Sequence, residues 1–65
     1  MTVYEIVKGI CKDRRISIRQ VEIKAGLGNG TIGGWRKYRP RADGLISVAK
    51  VLEVPVDVLL KGVRV

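Results

Sequence analysis

Residues 17–35 read SIRQVEIKAGLGNGTIGGW, and two incompatible structures compete for them. From Gly28 to Gly33 the order Gly-Asn-Gly-Thr-Ile-Gly matches G-x-G-x-x-G, the spacing of a loop that cradles a dinucleotide pyrophosphate. That chemistry needs a buried strand before the loop and about 30 residues of strand, helix and strand around it. The residues before it carry the signals of a capped helix instead. Ser17-Ile18-Arg19-Gln20 is an S-x-x-Q capping box, with Ile16 and Val21 in the staple positions that pin a helix start. A short helix to about Ala25 follows, and Gly26 stands where a helix stop takes a left-handed residue. Ile32 and Trp35 lie three apart, so a helix capped near Gly28 and running over residues 28–37 buries both on one side. The stretch is two helices across a tight turn, and the fingerprint is a coincidence of spacing.

The same devices extend outward in both directions. Upstream, Thr2-Val3-Tyr4-Glu5 is a T-x-x-E box, with Met1 and Ile6 as its staple pair. Val3, Ile6, Val7, Ile10 and Cys11 then recur at helical steps, which places Cys11 in the core, and Lys12, Arg14 and Arg15 suit the dipole at that helix's end. Downstream, Pro40 stops the central helix, and Leu45, Ile46, Val48, Ala49 and Leu52 give a helix over residues 42–52. Val54-Pro55 breaks it. Val56, Val58, Leu59 and Leu60 then form a last short helix with Pro55 in its first turn, although the β-prone valines leave a strand as the alternative. The expected fold is all-α: a compact bundle of five short helices in a single domain, residues 1–65.

Composition narrows the chemistry. Sixty-five residues, 46% of them apolar, suffice for one aliphatic core but not for a core and a deep cofactor cleft. One cysteine and no histidine exclude an internal disulfide, a zinc site, a Cys-His nucleophile and a Ser-His-Asp triad. We therefore expect no enzyme, cofactor, metal or small-molecule ligand. No apolar run approaches the roughly 18 residues of a membrane span, and no signal peptide opens the chain, so a cytoplasmic protein away from membranes is expected. The net charge is +7, unevenly spread. From Lys8 to Arg41 ten Lys/Arg face only Asp13 and Glu22, whereas from Ala42 to Val65 three bases balance three acids. A basic half beside a neutral half suits a polyanionic partner, with nucleic acid foremost.

From Tyr4 to Leu60 the chain resembles the Cro/cI-type (XRE-like, lambda-repressor-like) helix-turn-helix family. The central resemblance is SIRQVEIKAGLGNGTIGGW, with apolar residues at Val21, Ala25, Leu27, Ile32 and Trp35 and Gly26 at the turn. The tail ISVAKVLEVPVDVLL is similar to the family's closing pair of helices. Two positions depart from the pattern. Glu22 stands where the family often has a small residue between the helices, and an outward tilt is expected for so polar a side chain. Gly33 and Gly34 stand where polar residues normally project from the recognition helix.

The resemblance implies a sequence-specific regulator of transcription, most simply a repressor, that inserts the helix near residues 28–37 into the major groove of double-stranded DNA. The start of the preceding helix, with Ser17 and Arg19, would meet a phosphate. Arg36, Lys37, Arg39 and Arg41 would grip further phosphates, with Tyr38 adding a hydroxyl. Base contacts fall to Asn29, Gly30, Thr31, Gly33 and Gly34; Asn29 suits adenine, and the Thr31 methyl suits thymine. Many such proteins bind two-fold symmetric operators as homodimers; the last helix with the 62–65 tail is the candidate interface, with a frayed terminus as the alternative. Sixty-five residues leave no room for an effector domain, so if they are the whole protein, regulation would act through concentration, oligomerisation or a partner. The alternative is a protein-interaction module, antitoxin-like or adaptor, on the same fold.

Overall fold

Both capping boxes form, and they set where the first two helices begin. In the computed structural model, which describes residues 2–63, the helices are α1 (Val3–Asp13), α2 (Ile18–Ala25), α3 (Thr31–Gly34), α4 (Ala42–Leu52) and α5 (Val56–Leu60). No strand occurs among the described residues, so the sheet that a dinucleotide loop requires is not there. Thr2 Oγ1 accepts from the Glu5 N–H while Glu5 Oε1 accepts from the Thr2 N–H. These bonds with Thr2 hold the Glu5 carboxyl below its usual range. Ser17 and Gln20 repeat the exchange at α2, at 3.0 and 2.8 Å. Met1, the expected staple partner of Ile6, lies outside the described residues. The valine-rich stretch near the C-terminus is helical, not extended. Pro55 stands at its N-cap, one position before the first turn where it was expected, with φ −61°.

Three helices end in the same way, each with a left-handed residue and a pair of backbone bonds that close the last turn. After α1 it is Arg15, after α2 Gly26 and after α4 Glu53, with φ of 56°, 73° and 56°. At the last of these, Val54 N–H reaches Ala49 C=O at 3.0 Å and Glu53 N–H reaches Lys50 C=O at 3.2 Å. A side chain in this conformation carries a cost of roughly 1–2 kcal/mol that glycine avoids. Glu53→Gly is therefore expected to stabilise the protein by about 0.5–1 kcal/mol, less than the whole cost because glycine also loosens the unfolded chain. A thermal melt that shows no rise in Tm would refute the assignment of strain there.

The helices enclose one aliphatic core. Val7, Val21, Ile32, Val48, Leu52 and Leu59 are fully buried within it. Helix α4 is its hub, packed against both α2 and α5, while α1 lies on α5 and α2. Cys11 is buried in the core as its spacing predicts, and burial pushes its thiol upward. Arg14 was expected to serve the dipole of its own helix. Its guanidinium instead donates to the Leu52 carbonyl at the C-terminal end of α4, 38 residues away in sequence, where a cation complements the carbonyl end of that helix. Beyond α5, Gly62 lies directly on the backbone of Thr2 and Val3, with no room for a Cβ between them. The two ends of the described chain are thereby packed together.

Candidate functional site

The residues between α2 and α4 border an open groove, and its shape begins with Gly30. We expected a helix capped near Gly28. Gly30 instead occupies the N-cap of α3 in a left-handed conformation, φ 85°. That conformation cannot belong to a right-handed helix, so Gly28 and Asn29 fall in the turn before it, and α3 is only four residues long. The coil continues beyond Gly34 in tighter form. Lys37 N–H bonds to Gly34 C=O at 2.9 Å, and Tyr38 N–H shares the same carbonyl. Ile32 and Trp35 are both buried, as their spacing predicts.

A glycine N-cap has no side chain to receive the orphan N–H groups of its helix, and none is supplied from α3. The acceptor comes from α2. Glu22 was expected to tilt outward; it is only 2% exposed and turns inward beneath the start of α3. Its Oε2 accepts from the Ile32 N–H at 2.9 Å, and its Oε1 accepts from the Gly30 N–H at 3.3 Å. Arg19 Nη1 approaches the same Oε1 at 3.4 Å from a half-exposed position. The physical reason for the inward turn is this set of donors: two backbone amides and a guanidinium satisfy a buried carboxylate that water would otherwise have to solvate. The sequence carried a signal, a carboxylate eight residues before a glycine-opened helix, but no spacing rule reads it.

Beside α3 lies an open groove of about 600 Å³. Asn29, Gly30, Thr31, Gly34, Tyr38, Arg39 and Arg41 all line it, together with Trp35 and with Asp43 and Ser47 from α4. Tyr38 is 72% exposed there. The other predicted residues lie elsewhere. Arg36 and Lys37 line a second, smaller groove beside residues 2–3 and 62–63. The Arg36 guanidinium stands 4.9 Å from the centre of the Tyr4 ring, and its Nε donates to Gly33 C=O. Lys8 also approaches that ring, at 5.9 Å. Part of the positive half is thus held in intramolecular contacts. Gly33 is bordered by open space, and a Cβ on Gly34 would make only an ordinary 3.7 Å contact with Tyr38. The packing of the free protein does not require glycine at either position.

At the start of α2, Ser17 Oγ accepts from the Gln20 N–H and keeps its own proton to donate. Arg19 is half-exposed and is linked through the Glu22 carboxylate to Gly30 in the groove-facing turn. Among the described residues no cluster of His, Cys, Asp or Glu could hold a metal ion, and no helix is long and apolar enough to cross a membrane. No family model, curated protein or solved structure matches the chain.

Proposed function

We propose that this protein binds double-stranded DNA in a sequence-dependent manner, presenting residues 29–34 to the major groove, and that it acts as a small regulator of transcription. The observation that supports this most directly is the convergence in one groove of two groups suited to base edges, Asn29 and Thr31, with Tyr38, Arg39 and Arg41. Amide and hydroxyl groups read bases, and guanidinium groups hold phosphates, so both halves of a DNA contact are side by side. Ser17 and Arg19 extend the grip across the backbone from the start of α2. A homodimer on a two-fold symmetric site completes the reading. Its interface would involve α5, where Leu60 is exposed; Arg64 and Val65, also assigned to it, lie outside the described residues.

Selection of bound duplexes from a random library tests this reading. Recovery of a two-fold symmetric motif is expected, and recovery of no motif refutes it. Two substitutions then separate the roles within the groove. Asn29→Ala is expected to relax preference at one or two base pairs, at about 1–3 kcal/mol for the preferred base. Arg39→Ala is expected to weaken preferred and unrelated duplexes by the same factor. Competition titrations with single-base variants of the selected site distinguish these patterns, and identical patterns for the two variants would contradict the assignment.

A further inference from the structure

We infer that Glu22 is a positioning residue for the base-reading segment, and that it makes sequence preference depend on a carboxylate that never touches DNA. The inference rests on the DNA-binding reading above and deepens it. Three observations carry it. Helix α3 is too short to hold its own geometry, with two of its four residues glycine and a glycine at its N-cap. Two of the three acceptors at its start belong to Glu22, one oxygen on Ile32 and one on Gly30, while the Gly28 carbonyl takes the Thr31 N–H at 3.2 Å. The residues held this way flank Thr31 directly and follow Asn29, so the pose of both proposed base contacts is set from α2.

Arg19 links this device to the backbone grip. Its guanidinium shares Oε1 with the Gly30 N–H, and both approaches are long, 3.4 and 3.3 Å. Arg19 is also the cation placed for a phosphate at the start of α2. When a phosphate draws the guanidinium away, Oε1 is left to Gly30 alone, and the cap tightens as the backbone is gripped.

Glu22→Gln tests the inference with little change of shape. The glutamine carbonyl can serve one amide, but its NH₂ group faces the other as a second donor. In the free protein, amide exchange measured by NMR should speed up at Gly30 or Ile32 about tenfold more than at Val7 and Val48, the size of one charge-assisted hydrogen bond, because those core amides report only the global loss of stability. Affinity for the selected duplex should fall about tenfold, with affinity for an unrelated duplex unchanged within twofold. Arg19→Gln should give the opposite signature: both duplexes weakened alike, and Gly30 exchange no faster than in the wild type. Faster exchange with an unchanged preference would reduce Glu22 to a structural cap and overturn the inference. Exchange at Gly30 and Ile32 that rises no more than at Val7 and Val48 would overturn it equally. A wild-type chain that binds no duplex defeats the DNA reading itself, and the exchange measurements still decide whether Glu22 holds α3.

Discussion

Glu22→Ala is expected to lower the free energy of unfolding by about 3 kcal/mol, a severe loss for a domain of this size. Most of the loss arises beneath the surface. It leaves the Gly30 and Ile32 N–H groups without the acceptor that the carboxylate supplies, one of them in the interior. Each unsatisfied buried donor costs roughly 1–3 kcal/mol. The loss of the carboxylate also strips Arg19 of its ion pair, but that side chain is half-exposed and solvent replaces most of what it loses. In a small domain, 3 kcal/mol corresponds to a fall in Tm of roughly 12–24 °C. Urea titration followed by Trp35 fluorescence measures it directly, since Trp35 lines the neighbouring groove. A shift below about 1 kcal/mol would mean that water takes over the two amides, and that Glu22 does not govern the start of α3.

The second large effect is on DNA affinity. If the proposed complex neutralises about four phosphates, log K falls with log salt at a slope near −3.6, and affinity drops about 150-fold between 50 and 200 mM salt. The cations in place for this are Arg19, Lys37, Arg39 and Arg41, from the start of α2 and the segment after α3. Arg36 is held against the Tyr4 ring and Gly33, so Arg36→Ala should change the slope less than Arg41→Ala does. Fluorescence anisotropy on the selected duplex across a salt series reads both quantities. A slope near zero would remove phosphate contacts from the interface.

Much of this architecture was legible because its signals are local. The boxes at Thr2 and Ser17 and the apolar steps of α1 and α4 depend on residues three or four apart, and all appear where the sequence puts them. Two further features were not, for one shared reason. Arg14 serves a carbonyl 38 residues away, and Glu22 serves amides eight and ten residues away. Such pairings are decided by how helices cross, which periodicity does not encode. The start of α3 was misplaced by two residues because Gly28 and Gly30 are equivalent on paper. Only the backbone shows which of them adopts the left-handed conformation. Lys8 and Arg36 are exposed and also flank the Tyr4 ring, a pairing between α1 and the segment after α3 that no charge count encodes.

The seating of Gly62 on Thr2 and Val3 makes the described chain a nearly closed ring. A ring has no obligatory starting point. A short linker from residue 63 to residue 2 would let the gene be opened elsewhere, with the loop before α4 a natural place, because Arg39 and Arg41 are exposed there. Such a circular permutant keeps every helix and moves only the order of synthesis. The new ends would lie on a different side of the bundle, so that a second copy fused in tandem would leave from there.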